Sequence, residues 1–368
     1  MNVTFCAGTA AELIKLAPLI GRSERGGADW RAVFTGQAAK SFLDQWDDFG
    51  FSRERLRSLE TRAADLSSSC EAGAWFLRTA ARIPFPAPAL RRERQSAKGL
   101  WLVHGDTLST FAGAMLGARL GMRVGHVEAG LRSHTVLDPF PEEVCRRMVA
   151  KVATLHYAPE RPAYDNLLRE KVRGEVVYTA GNTQIDAVLE VLNGAPSAPL
   201  HPTPYVLVNI HRFETMMSAE RGAQVKDILR RAAKLHTLII VSHATTLAWV
   251  AKDPEFRAEL ERNGAVWLPR QRFTLFVRWL VGAIGVISDS GGNQEECAML
   301  GVPCLLLRFV TERELPAGRT NVVLSQFKED LIAPFLRDPA AYRIPQSVSE
   351  DSPADCIFSH MSGVADQP

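Results

Sequence analysis

Residues 284–313, IGVISDSGGNQEECAMLGVPCLLLRFVTER, constrain this 368-residue chain more than any other stretch. An apolar, β-branched run from Ile284 to Ile287 meets Asp289, Ser290 and the pair Gly291-Gly292. A helical stretch with Glu295 and Glu296 follows, then Gly301-Val302-Pro303 and a second apolar run, Cys304 to Leu307. The order predicts strand, glycine turn, helix, turn, strand. Such a turn aims several backbone N–H groups and the positive end of a helix dipole at one spot, which favours a phosphate or diphosphate. The glycines allow close backbone approach. Glu296, one turn further in, is placed to accept hydrogen bonds from a ribose diol. A glycine turn alone more often merely turns the chain.

The N-terminus repeats the pattern. Asn2 to Ala7 reads as a strand running into Gly8-Thr9, and a helix from about Ala11 carries Leu13, Leu16, Leu19 and Ile20 with Lys15 among them. Two strand–glycine–helix starts far apart in the chain predict an α/β protein of two Rossmann-like, doubly wound domains. The chain is long enough for two. Pro196 to Pro204 reads as a linker or surface loop. The expected division is 1–185, 186–335 and a tail, 336–368, rich in Pro, Ser and Asp, that packs back on the first domain or is partly disordered.

Between these starts, several strands end in groups with chemistry. Gly99 to Val103 runs into His104-Gly105-Asp106-Thr107, where Asp106 reads either as a helix N-cap or as a functional carboxylate. The string His126-Val127-Glu128-Ala129-Gly130 ends a buried strand in a carboxylate, which is costly without a partner. Pro139-Phe140-Pro141-Glu142-Glu143 opens a helix, and its positive end explains one glutamate better than two. Tyr205 to Ile210 leads to His211-Arg212-Phe213-Glu214.

Composition narrows the partners. The formal net charge of +2 calls for no nucleic acid, and Arg91-Arg92-Glu93-Arg94 reads as a solvated face. Six cysteines without metal-ligand spacing predict neither a disulfide framework nor a metal site; Cys6, Cys297 and Cys304 read as small hydrophobes. No apolar run is long enough to span a bilayer and no signal peptide is evident, so the expected compartment is the cytoplasm, with no membrane contact.

Taken together, GTAAELIKLAP, VHGDT, HVEAGLRS, PFPEEVCRR, GNTQID, HRFE and SDSGGNQEE resemble the UDP-N-acetylglucosamine 2-epimerase family. The resemblance implies a GT-B fold, two Rossmann-like domains with a cleft between them. It implies an isomerase that inverts C2 of UDP-GlcNAc, or a related UDP-HexNAc, to give UDP-ManNAc. UDP is eliminated across C1–C2 to leave 2-acetamidoglucal and then re-added; a hydrolysing branch releases free ManNAc and UDP. Asp106, Glu128, Glu142 and His211 would be catalytic. Lys15, Arg146, Ser290, Gly291, Gly292, Glu296 and Arg313 would bind substrate. No cofactor or metal is implied, and a homodimer is. The chain departs from the family pattern at Ala10, in place of an arginine, and at Cys145, in place of an asparagine. Ala38-Ala39-Lys40 also lack the histidine and arginine of an activating second UDP-GlcNAc site. Those departures leave open a GT-B glycosyltransferase or a non-catalytic UDP-sugar binder.

Overall fold

The computed structural model describes residues 1–59, 69–83, 99–133, 140–194, 198–212, 215–216, 218–311, 320–346 and 352–365. The Pro-rich segment beyond Ile83, the Arg91–Arg94 run, Glu214 and Arg313 lie outside the described residues. The chain forms two compact units, Met1–Glu190 with Glu350–Pro368, and Val191–Ser349.

The first unit is built on a parallel sheet of β1 (Asn2–Ala7), β2 (Asp29–Phe34), β3 (Leu56–Ser58), β4 (Leu100–His104), β5 (Arg123–Val127), β6 (Leu155–Ala158) and β7 (Glu175–Tyr178). Their order is β3-β2-β1-β4-β5-β6-β7. The strands are apolar because helices cover both faces. Trp30, Phe34, Phe42 and Trp46 fill one side, with the Phe34 and Phe42 rings 4.4 Å apart. On the other side, the small residues of helix Leu108–Arg119 permit close approach: a Cβ on Gly113 would sit 2.7 Å from Cys6 Sγ, and one on Gly117 2.5 Å from the Trp101 ring. The direction of strand order reverses between β1 and β4. Loops diverge at such a point and leave a crevice outside the carboxyl ends of the strands.

The second unit repeats this plan with β8 (Tyr205–Asn209), β9 (Thr237–Ser242), β10 (Val266–Pro269), β11 (Gly285–Ser288), β12 (Cys304–Leu306) and β13 (Val322–Leu324), in the order β10-β9-β8-β11-β12-β13. Its reversal lies between β8 and β11, where Asn209 pairs with Ser288. Residues 285–306 are therefore strand β11, the helix Gly291–Leu300 and strand β12, as the pattern of the stretch predicts.

The unit boundaries differ from the expected division. Phe335 and Leu336 join the second core, and Pro339 packs against Gly285, so the second unit continues to Ser349 rather than ending at 335. Within the remaining piece, Pro353–Ala365 forms a helix whose Ala354, Ile357, Met361 and Val364 enter the first core beside Leu16. Asp186, 3% exposed, holds its start: the carboxylate accepts the Ala354 N–H at 3.0 Å and the Ser352 hydroxyl, and pairs with Arg22 at 3.2 Å. Removing that carboxylate leaves the Ala354 N–H and the Ser352 hydroxyl without their acceptor, while Arg22 keeps Glu190 and Asp355. Asp186→Ala should destabilise the first unit by about 2 kcal/mol, read as a lower urea midpoint.

Buried histidines set the acid limit. His126 and His156 face each other across β5 and β6, both fully buried. Burial pushes His126 down to about 3 and lowers His156. An unfolded chain protonates both near pH 6.5. Below that pH the unfolded state takes up protons that the folded state refuses, so stability falls as pH falls, by about 1.4 kcal/mol per pH unit for His126, with His156 acting in the same direction. Denaturant midpoints should drop steadily from pH 6.5 towards pH 4.5, and His126→Asn should flatten that slope by about one proton's worth.

Candidate functional site

The first unit gathers its polar groups at the carboxyl ends of β1, β4 and β5. Helix Ala10–Arg25 starts on a capping box, with Thr9 Oγ1 accepting the Glu12 N–H at 3.3 Å. Glu12 does more than close that box. Fully buried, it accepts the Gly8 N–H at 2.6 Å, the Thr110 hydroxyl at 3.1 Å and the Thr107 hydroxyl, and so joins the loop after β1 to the one after β4. Burial raises its pKa against the pull of these donors.

Lys15, one turn further along, reaches Glu128 Oε2 at 2.5 Å. Asn182 Nδ2 donates to the same oxygen at 2.8 Å, and His104 Nε2 lies 3.1 Å from it. Burial lowers the His104 pKa, so its ring is neutral near pH 7. Two donors, Lys15 and Asn182, and the His104 ring converge on one carboxylate oxygen from three separate chain segments. Glu128 also has a φ of 65°, a left-handed conformation in a residue that is neither Gly nor Asn. Such backbone costs on the order of 1–3 kcal/mol and persists where the surroundings enforce it.

Asp106 is not the N-cap that local pattern allows. Thr107 takes that place, accepting the Thr110 N–H at 3.1 Å, and Asp106 instead pairs with Arg146. The two glutamates after Pro141 also part company. Glu143, fully buried, accepts from Arg147 at 2.8 Å and from the Ser133 N–H at 3.1 Å, with Arg146 at 3.5 Å. Glu142 opens helix Glu142–Val152, and its Oε2 is buried with no hydrogen-bond partner among the described residues. Glu143 is thus a strut, and Glu142 is a carboxylate kept available. At the departures from the family pattern, Ala10 offers no donor, and Cys145 is buried. Burial, with Asp106 and Glu142 nearby, pushes its thiol up to about 12, which leaves it protonated and inert.

In the second unit, Asp289 ties the end of β8 to that of β11. Fully buried, it accepts the His211 and Arg212 N–H groups at 3.1 and 2.9 Å. The His211 ring lies 3.8 Å from Asp289 and 4.7 Å from the His243 ring, centroid to centroid, and burial lowers its pKa. Ser290 is the N-cap residue of the Gly291 helix, yet its side chain makes no cap hydrogen bond; Gly291 and Gly292 form the first turn. Glu296 is buried and accepts from Asn293 at 2.8 Å, while Thr311 donates to Gln294 at 2.6 Å. Among the described residues, no cluster of three or more His, Cys, Asp or Glu side chains is placed to hold a metal, and no helix is long and apolar enough to cross a membrane.

The structure thus brings Lys15, Asp106, Glu128, Glu142 and Arg146 to one sheet end, and His211, Ser290, Gly291, Gly292 and Glu296 to another. Sequence reasoning gave no role to His104, Asn182, Asn209 or Asn293. A polar residue closing an otherwise apolar strand, as His104 and Asn209 do, was the available signal.

Residues 24–343 match the sequence profile of the family described as UDP-N-acetylglucosamine 2-epimerase. The chain belongs to that family. It is 28% identical over 345 residues to the UDP-N-acetylglucosamine 2-epimerase of Methanocaldococcus jannaschii, covering 90% of each chain. To the Yersinia pestis enzyme of the same name it is 28% identical over 359 residues, 93% of this chain and 92% of that one. A crystal structure of the M. jannaschii epimerase in complex with UDP-GlcNAc and UDP superposes with a TM-score of 0.78 at 23% identity, over 99% of this chain and all of that one. The fold of this epimerase-family chain is accordingly GT-B, two parallel-sheet α/β units in sequence.

Proposed function

We infer that the protein is a UDP-GlcNAc 2-epimerase. It would eliminate UDP across C1–C2 to 2-acetamidoglucal and add it back with inversion at C2. The observation that carries this is the Glu128 carboxylate. A residue in left-handed backbone, with Lys15 and Asn182 donating to one of its oxygens and the His104 ring 3.1 Å from it, is a fixed proton acceptor at a sheet's carboxyl end. A C2 proton is only weakly acidic, so one positioned group must remove it and another must return one to the other face. Glu128, Asp106 and Glu142 supply three carboxylates for that work. Lys15, Arg146 and His211 would steady the departing diphosphate, as would the Ser290 hydroxyl and the N–H groups of Gly291 and Gly292. Glu296 would hold the ribose, and Arg313 would add a cation to the phosphates. The homodimer and the cytoplasmic location implied by family membership belong to the same proposal; sedimentation of the purified chain tests the first.

Incubation with UDP-GlcNAc, followed by anion-exchange separation of the nucleotides, tests the activity. UDP-ManNAc approaching a constant ratio to UDP-GlcNAc is expected. UDP and free ManNAc in its place would assign the chain to hydrolysis, and an unchanged substrate would refute both. Because Ala38, Ala39 and Lys40 stand where an activator site needs a histidine and an arginine, rate against UDP-GlcNAc concentration should be hyperbolic. A sigmoidal curve would show that a second site survives.

A further inference from the structure

The residues that end β8 and open the Gly291 helix form a hydrogen-bonded chain that ends on Glu296. His243 Nε2 lies 2.9 Å from Asn209 Oδ1. Asn209 Nδ2 donates to Asn293 Oδ1 at 2.6 Å, and Asn293 Nδ2 donates to Glu296 Oε2 at 2.8 Å. Asn209, Asn293 and Glu296 are all buried. Ser288 Oγ, 2.9 Å from both the Asn209 carbonyl and Asn293 Oδ1, accepts the Ser290 N–H at 3.0 Å and fastens the chain to the glycine turn.

Its direction follows from one end. Carboxylate oxygens only accept, so Asn293 must turn its amide nitrogen to Glu296. Its Oδ1 then faces Asn209, which must present Nδ2. Asn209 in turn offers Oδ1 to His243, whose Nε2 must carry the proton. Burial pushes His243 down to about 4, so the ring is neutral near pH 7 and its single proton sits on Nε2. Every donor in the chain points towards Glu296. Successive hydrogen bonds of one polarity in a buried setting reinforce one another.

We propose that Asn209 and Asn293 are positioning residues for ribose recognition, an amide relay from His243 that fixes the Glu296 carboxylate against the diol of a nucleoside diphosphate. The proposal rests on UDP lying at the start of the Gly291 helix. Neither amide need touch the ligand. An apolar residue at 293 would leave the Asn209 amide buried without a partner, a costly arrangement, so the two asparagines work only as a pair.

The test compares UDP with 2′-deoxy-UDP by calorimetry on the full chain. The wild type should prefer UDP by about tenfold or more, the worth of one hydrogen bond to a charged group. Asn293→Ala should bring that ratio close to one. Asn209→Asp keeps the volume and the acceptor for His243 but removes the donor. The Asn293 amide must then turn over and aim its oxygen at Glu296, so the ratio should collapse here as well. Asn209→Asp also stands in should Asn293→Ala fail to fold. A purely structural role would weaken both nucleotides equally; an unchanged ratio in a variant that still binds UDP overturns the relay. A wild-type ratio near one also overturns it, by removing Glu296 from ribose recognition. If the wild type binds no UDP at all, the proposed function falls and the relay with it, and the two failures are told apart.

Discussion

Glu128→Gln should lower turnover of UDP-GlcNAc by about 10³-fold, within the range for loss of a general acid–base group, while UDP affinity stays unchanged. The reason is geometric. Lys15, Asn182 and His104 all approach one oxygen, Oε2. The glutamine carbonyl can receive the same two donors, Lys15 and Asn182, so the packing and the left-handed backbone survive while the proton acceptor is lost. Stopped assays with UDP-GlcNAc and calorimetry with UDP, on the same preparation, check both halves. A variant that retained a tenth of wild-type turnover would remove Glu128 from the chemistry and leave it as a partner for Lys15.

The adjacent pair Glu142 and Glu143 should give opposite results. Among the described residues Glu142 Oε2 has no hydrogen-bond partner to lose, so Glu142→Gln should melt with the wild type yet turn over about 10²–10³-fold more slowly. Glu143 is fully buried between Arg146 and Arg147 and accepts the Ser133 N–H. Glu143→Gln leaves two guanidinium groups short of a counter-charge and should cost about 3 kcal/mol of stability. Arg146 also holds Asp106, so some activity should go with it. Thermal melts and steady-state rates of the two variants separate these outcomes. Equal destabilisation by both would mean that Glu142 is a strut too.

The parts of this fold that were legible in the sequence are those where local pattern and tertiary demand agree. Residues 285–306 read correctly because an apolar run, two glycines and a capped helix each admit few conformations. The boundaries were less legible. Nothing local marks the second unit's end at Ser349, because Phe335, Leu336 and Pro339 continue a core whose other half lies far back in the chain. Likewise, the Pro353–Ala365 helix belongs to the first unit through Asp186 and Arg22, and neither residue signals a partner more than 160 positions away. Asp106 shows the limit of capping rules. Asp and Thr both suit an N-cap, and the choice of Thr107 was settled by Arg146, which claims the aspartate from another helix. The groups that meet Glu128 come from three segments, so sequence shows the carboxylate and not the array that fixes it. The motif strings located site residues without distinguishing Glu142 from Glu143, because chain proximity says nothing about which carboxylate the arginines take.

The central claim is that this chain breaks and remakes the C2–H bond of a UDP-sugar. Proton NMR of the purified protein with UDP-GlcNAc in D2O tests it most directly. The account predicts loss of the C2 proton signal to deuterium together with the growth of UDP-ManNAc resonances, both abolished in Glu128→Gln. A protein that binds UDP-GlcNAc yet leaves the C2 proton in place, with no new sugar formed, would contradict it.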